Sequence, residues 1–155
     1  MAEVAKIIEE KIARYGKERR ALLPILHGIV CEKRYVDEDD MVQVAKALDI
    51  SSADVYGTAS FYSFIENEER GENIIRVCKS ITCVMKGKHE ILEALEDALR
   101  INLGETTPDK KFSLLETNCI GLCDAGPAML INNEPYTYLN PEKVREIIKD
   151  YKNKK

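Results

Sequence analysis

Apolar residues recur at helical spacing through the first half of the chain, at intervals of three or four residues. Such stripes predict amphipathic helices, and three of them lie before residue 65 without any β-type alternation between them. Their members are Val4, Ile7, Ile8, Ile12 and Tyr15, then Leu22, Ile25, Leu26, Ile29 and Val30, then Met41, Val44, Ala45 and Leu48. The segment "SSAD" then supplies an N-cap for a short fourth helix. Together these elements predict a small helical bundle.

The pattern changes after the polar, glycine-containing segment "ENEERGEN", which is typical of a domain boundary. Short β-branched runs follow it: "IIRVC" and "FSLLETNC" predict strands, and a helix is expected between them from about Gly87 to Ile101. "PAMLIN" and "YTYL" predict a hairpin around the turn "NEP", and a last helix begins at Asn140-Pro141. The expected fold class is α+β, with a helical bundle over residues 1–70 and a β-α-β-β-β-α domain over residues 71–155.

The composition of the chain makes several classes of function improbable. The chain has 155 residues, 45% hydrophobic and 32% charged, which is ordinary for a soluble globular protein. A formal charge of -4 argues against nucleic acid as a partner. No export signal is visible, and the apolar runs are far shorter than the roughly 20 residues needed to cross a bilayer. We therefore expect a cytoplasmic protein without membrane insertion, in which clustered cysteines serve metal binding or catalysis rather than disulfides.

Four of the five cysteines form two close pairs. Cys78 and Cys83 make C-x4-C after the first predicted strand, and Cys119 and Cys123 make C-x3-C after the second. If a strand-helix-strand crossover makes these strands parallel, their carboxyl ends lie at one edge of the sheet. The four thiols would then form a single site.

Four kinds of chemistry can be compared with the cysteine spacing. Structural zinc most often uses C-x2-C hooks, while the plant-type ferredoxin cluster includes a C-x4-C spacing, so the wider loops favour an iron-sulfur cluster without excluding zinc. A dithiol oxidoreductase would use C-x-x-C, which neither pair has. A cysteine nucleophile would need a histidine partner, and only His27 and His89 exist. Cys31, the fifth cysteine, is expected to pack.

The segments "CKSITC" and "CIGLCDAGPAMLIN", with "LGETTPDKKFSLLE" between them, resemble the thioredoxin-like [2Fe-2S] ferredoxin family. This family includes the small iron-sulfur subunit of NADH dehydrogenase (complex I) and related subunits of NADH-linked formate dehydrogenases and electron-bifurcating iron hydrogenases. "LLPILHGI" and "VYGTASFYSF" are similar to family segments in the helical half, so the resemblance covers nearly the whole chain. One departure is "DAGP", where many members have Ala before the proline.

The resemblance implies a thioredoxin-like second domain and one [2Fe-2S] cluster per chain. Carried over by motif, its ligands are Cys78, Cys83, Cys119 and Cys123, with Gly121 and Pro127 shaping the second ligand loop. The chain would be a non-catalytic electron-transfer subunit of an NADH-dependent oxidoreductase complex, exchanging single electrons with the flavin of a partner. FMN and NAD are expected on that flavin- and NADH-binding iron-sulfur subunit, and further subunits of a larger redox complex are implied. A zinc-stabilised interaction module is the alternative, and a thiol oxidoreductase a further one.

The sequence leaves two questions about side-chain roles that only a three-dimensional structure can address. Phe61, Tyr62 and Phe64 in "ASFYSF" either anchor the partner or close the helical core. Near the cysteines, Lys79, Lys86 or Lys88 would favour the reduced cluster, whereas Asp124 would oppose it.

Overall fold

The computed structural model describes residues 2–153, which divide into two compact units between Glu69 and Arg70. In the first unit the helices are α1 (Ala2–Tyr15), α2 (Leu22–Lys33), α3 (Glu38–Leu48) and α4 (Ser52–Phe61), with a 3-10 turn at Arg19–Ala21. Within residues 2–153, no helix is long and apolar enough to cross a membrane.

The predicted stripes form the core of the first unit. Its fully or nearly fully buried members are Val4, Ile8, Leu22, Ile25, Leu26, Ile29, Met41, Val44, Ala45 and Leu48. Ile7, Ile12 and Val30 pack against that core and are partly buried. Tyr15, the last member of the first stripe, is 36% exposed. It is the last residue of α1, and Gly16 ends the helix with a φ of 84°.

Side-chain caps begin the third and fourth helices. Asp37 and Asp40 form a capping box, in which the Asp40 N–H donates to Asp37 Oδ1 at 2.9 Å and the Asp37 N–H donates to Asp40 Oδ2 at 3.2 Å. The predicted N-cap in "SSAD" is Ser51, whose Oγ accepts from the Asp54 N–H at 3.1 Å. Amide groups that a helix leaves without internal partners are satisfied in this way.

The second unit is a mixed four-stranded sheet with three helices in the part described. Its elements in chain order are β1 (Asn73–Cys78), α5 (Ile81–Met85), α6 (Lys88–Leu99), β2 (Phe112–Thr117), β3 (Met129–Ile131), β4 (Glu134–Tyr136) and α7 (Pro141–Asn153). The strand order is β2-β1-β3-β4. β1 and β2 are parallel, with Cys78 opposite Thr117, while β3 is antiparallel to both β1 and β4. The α+β class is confirmed, and the two strands that precede the cysteine pairs run side by side.

The element order departs from the prediction at α5, a five-residue helix that begins after Cys78 and contains Cys83. The observed order is β-α-α-β-β-β-α rather than β-α-β-β-β-α. Three of the five residues in α5, Ile81, Thr82 and Val84, are β-branched, and such residues have low helix propensity. One and a half turns are also too short for a hydrophobic period to show in the sequence.

The hairpin turn was also placed wrongly. "NEP" does not form it, because Glu134 and Pro135 lie in β4, opposite Ile131 and Leu130. The chain turns at Asn132, whose φ is 54°, a left-handed conformation that Asn tolerates well. Asn132 is held there because its N–H donates to the Ile74 carbonyl and its Oδ1 accepts from the Ile74 N–H, both at 2.9 Å. Pro135 fits because β4 is an edge strand and needs no outward donor.

A second hydrophobic core is shared by the sheet, α6 and α7. Its most deeply buried members are Ile75, Val77, Ile91, Leu95, Phe112, Leu114, Met129, Ile131, Val144 and Ile148. This core fixes the position of β1 and β2, and therefore of the cysteines that follow them.

Candidate metal centre

The four predicted cysteines lie where two neighbouring parallel strands end. Cys78 is the last residue of β1, and Cys83 lies in α5. Cys119 and Cys123 lie in the loop that follows β2. Cys78 and Cys83 are buried, Cys123 is half-buried and Cys119 is exposed. The site therefore forms at one edge of the sheet, with one pair buried and the other facing solvent.

The sulfur atoms interact within and between the pairs. Cys119 Sγ lies 3.2 Å from Cys123 Sγ. The hydrogen bond between these two residues raises the pKa of Cys123, and the nearby charges of Cys83 and Cys78 raise that pKa further. The pKa of Cys83 is raised by burial and by its hydrogen bond with Cys78. The two pairs are thus close enough to affect each other's charge.

Polar groups of the chain are directed at the sulfurs. Cys78 Sγ lies 3.3 Å from Ser80 Oγ, and the backbone amide of Ile120 acts with Ser80 to lower the pKa of Cys78. Burial alone would raise the pKa of Cys78, but these hydrogen bonds, with that from Cys83, bring it below its ordinary value.

The sulfurs of Cys119 and Cys83 are also close to backbone amides, one in the second ligand loop and one just before β3. The Gly121 N–H donates to Cys119 Sγ at 3.4 Å, and the backbone amide of Ala128 opposes the rise in the pKa of Cys83. Such donors stabilise thiolate, the form that binds metals. Gly121 has a φ of 82°, so the predicted loop-shaping role of this glycine has a conformational basis.

Gly126 lies against Cys83 of the buried pair. A Cβ placed there would lie 3.2 Å from Cys83 Sγ, and the next residue, Pro127, follows a cis peptide bond. The departure from the family pattern at "DAGP" therefore sits in contact with a candidate ligand. Four thiols in two neighbouring pairs fit a thiolate-ligated centre such as an iron-sulfur cluster. Within residues 2–153, no three His, Cys, Asp or Glu side chains converge on one point as the ligands of a single metal ion would, so the thiols are arranged as two pairs rather than as one set around a single ion.

Two further residues considered in the sequence analysis, Lys88 and Cys31, are not part of the cysteine site. Lys88 is buried and forms an ion pair with Glu116. Cys31 was expected to pack, but it is exposed, with its Sγ 3.6 Å from His27 Nδ1 on the same helix. It lies on the outer face of α2, away from the stripe that fills the core, which explains the wrong prediction.

Sequence reasoning missed three contributors to the site: Ser80, Gly126 and the Ala128 N–H. Ser80 stands inside "CKSITC", so its nearness to Cys78 could have been noticed. The other two reach Cys83 across more than 40 residues of chain, and no local pattern signals such a contact.

Comparison with known proteins identifies relatives over nearly the whole chain. The family model described as thioredoxin-like [2Fe-2S] ferredoxin matches residues 8–152, which confirms the family indicated by the cysteine motifs. The E subunit of NADH-quinone oxidoreductase from Buchnera aphidicola is 40% identical over 144 residues, covering 92% of this chain and 89% of that protein. Its counterpart of the same name from Escherichia coli K12 is 37% identical over 145 residues, covering 94% and 87%.

A solved structure shows the same similarity in three dimensions. An NAD⁺-reducing [NiFe]-hydrogenase in the H₂-reduced state aligns with a TM-score of 0.75 and 25% sequence identity over 86% of this chain. The aligned part is only 22% of that longer hydrogenase chain.

Proposed function

The chain belongs to the thioredoxin-like [2Fe-2S] ferredoxin family, and on that basis we propose that it is a one-electron transfer subunit of an NADH-linked oxidoreductase complex. Its ligands to one [2Fe-2S] cluster are Cys78, Cys83, Cys119 and Cys123. The observation that carries the proposal is the placing of two neighbouring thiol pairs after the carboxyl ends of two parallel strands.

The bound cluster would accept and release one electron, and reduction would add one negative charge to the site. The chain's own groups stabilise that charge. The Gly121 N–H donates to Cys119 Sγ, and the backbone amides of Ile120 and Ala128 favour the charged forms of Cys78 and Cys83. Hydrogen bonds to cluster sulfurs favour the reduced form. The burial of Cys78 and Cys83 keeps water from one side of the site.

A redox partner has an accessible route to this centre. Ile81 and Met85 are 71% and 82% exposed on α5, the helix that carries Cys83. Exposed apolar side chains next to a redox centre suit a protein contact that excludes water. We propose that the partner is the subunit that binds FMN and NADH, since the curated relatives are named as subunits of NADH-quinone oxidoreductase.

The first unit offers a second contact surface. Phe61, Tyr62 and Phe64 are 79%, 42% and 48% exposed, so they do not close the helical core. Tyr62 and Phe64 line a groove of about 460 Å³ together with Tyr15, Leu23, Pro24 and Val30. We propose residues 1–70 as a docking domain for the flavin-binding subunit and residues 71–155 as the cluster domain. Further subunits would complete the complex on the cytoplasmic side.

Metal and sulfide analysis of anaerobically purified protein tests the function. We expect about two irons and two acid-labile sulfides per chain, with an S = 1/2 EPR signal after dithionite reduction, as for Cys₄-ligated [2Fe-2S] centres. Cys83→Ser should lose or alter the signal. Cys31→Ser is the matched control and should retain it, because Cys31 lies on α2 in the other unit.

One zinc per chain without sulfide, persisting after reconstitution with iron and sulfide, would contradict the proposal. It would instead support a zinc-stabilised interaction module. Disulfide reduction by iron-free protein would support a thiol oxidoreductase.

A further inference from the structure

Lys86 connects the two halves of the cysteine site. Its Nζ donates to the carbonyl oxygen of Cys123 at 3.1 Å and to that of Asp124 at 2.8 Å. Lys86 itself directly follows α5, the helix that carries Cys83. One ammonium group therefore joins the helix of the first cysteine pair to the loop of the second pair, across 37 residues of chain.

The backbone and the aliphatic part of Lys86 are fixed as well. The Lys86 N–H donates to the carbonyl oxygens of Thr82 and Cys83, both at 3.2 Å. A Cβ on Gly126 would lie 3.4 Å from Lys86 Cδ and 3.2 Å from Cys83 Sγ, so the stem of Lys86 and the thiol of Cys83 pack over the same glycine. The side chain is thus held against the site along its length.

The contacts of Lys86 distinguish it from Lys88, the other nearby lysine with a defined partner. The charge of Lys88 is matched by the carboxylate of Glu116. The two acceptors of Lys86 are carbonyl oxygens, which carry no formal charge and leave the positive charge of Lys86 available to the site. A positive charge beside a redox centre favours the state with more negative charge.

We infer that Lys86 is a positioning residue that holds the Cys119–Cys123 loop against α5 and favours the reduced state of the site. This inference rests on the proposed function, because it assumes that the four thiols bind a [2Fe-2S] cluster. It goes beyond that function by assigning two separable effects, loop closure and a shift in reduction potential, to one side chain outside the ligand set.

Two substitutions separate these effects from general changes in the protein. Lys86→Met retains an unbranched stem but removes the donors and the charge, and Lys86→Arg retains both. Lys46→Met, on α3 in the other unit, makes the same change in net charge and is the control. Potentials are measured by EPR-monitored titration, and the mobility of residues 119–126 by hydrogen exchange, which does not depend on the redox reaction.

For Lys86→Met we expect the ratio of reduced to oxidised centre at a fixed potential to fall about threefold, which is about 28 mV at 59 mV per tenfold change. Amide exchange in residues 119–126 should become faster. Lys86→Arg and Lys46→Met should match the unsubstituted protein in both measurements. Loss of the cluster in Lys86→Met, with retention in Lys86→Arg, would also support the positioning role.

An unchanged reduction potential and unchanged amide exchange in Lys86→Met would overturn the inference. An equal shift of the potential in Lys46→Met would also overturn it, and so would a Lys86→Arg variant that differs from the unsubstituted protein. In each of these cases the unsubstituted protein still shows its [2Fe-2S] signal and the proposed function stands. Absence of iron and sulfide from the unsubstituted protein would overturn both.

Discussion

At the scale of single residues, Gly71 is closed to any larger side chain. A Cβ there would lie 2.6, 2.8 and 2.9 Å from the backbone C, N and O atoms of Phe112, the first residue of β2. Backbone atoms of a strand cannot move aside as a flexible side chain can. We expect Gly71→Ala to destabilise the second unit by about 2–3 kcal/mol, as overpacking does in a well-packed core.

Gly57 gives the matched control, because a Cβ there would meet nothing within 4 Å and the residue lies inside α4. Gly57→Ala should stabilise the first unit by about 0.5–1 kcal/mol through the higher helix propensity of Ala. Urea unfolding followed by peptide-resolved hydrogen exchange would report each unit separately. A neutral Gly71→Ala would show that β2 can shift away from Gly71.

At the scale of elements, the start of α3 links stability to pH. A hydrogen bond from Lys33 is the main cause that lowers the pKa of Asp37 from its ordinary value of 3.8, and the Asp40 N–H lowers it further. Burial would lower the pKa of Lys33, but its hydrogen bonds with Asp37 and Asp40 raise it instead. The capped turn therefore favours the ionised carboxylate.

The sign of the pH effect follows from that lowered pKa. Below pH 4 the unfolded chain binds a proton at Asp37 before the folded chain does, so the stabilisation present above pH 4 is lost as the pH falls. We expect Asp37→Ala to cost about 1 kcal/mol at pH 7, mainly from the lost cap, because the ion pair is partly exposed. Its stability should also fall less steeply below pH 4, measured by denaturant unfolding at several pH values.

Asp39→Ala is the control for this change, since Asp39 lies in the same first turn without a capping role. Equal losses for Asp37→Ala and Asp39→Ala would show that only the general charge of the turn matters.

Helices with long hydrophobic stripes could be predicted from the sequence because apolar residues recur several times on one face of each helix. The structure confirms these helices and the strands β1 and β2, including their parallel pairing. α5 could not be predicted, because five residues carry no readable period. The hairpin was misread because its turn depends on Asn132, which is fixed by hydrogen bonds to Ile74 across 58 residues.

The candidate site, too, could be predicted only in part from the sequence. The four cysteines could be identified from their spacing and from the strands before them. The contacts of Ala128 with Cys83 and of Lys86 with Cys123 could not, since they depend on how distant loops pack.

At the scale of the whole molecule, the groove lined by Tyr62 and Phe64 in the first unit allows a test of the proposed docking to the flavin-binding subunit. Tyr62 lines this groove, and truncation of such an aromatic anchor typically costs more than 1 kcal/mol of binding free energy. We expect Tyr62→Ala to weaken co-purification with the flavin-binding subunit by about tenfold, equivalent to 1.4 kcal/mol. The iron content and unfolding stability of the isolated chain should stay unchanged.

Tyr56→Ala is the comparison, because Tyr56 is also exposed but does not line the groove. It should leave co-purification intact. An unchanged complex with Tyr62→Ala, at unchanged stability, would remove the docking role of the groove.

The parallel pairing of β1 with β2 also orders events during biosynthesis. Cys78 and Cys83 leave the ribosome well before Cys119 and Cys123, and the two pairs meet only after α6 has crossed between the strands. Contacts between such distant segments form late in folding, because the loop between them must first be closed. A cofactor held by all four thiols would therefore have its complete ligand set only once β2 and the loop after it have joined β1.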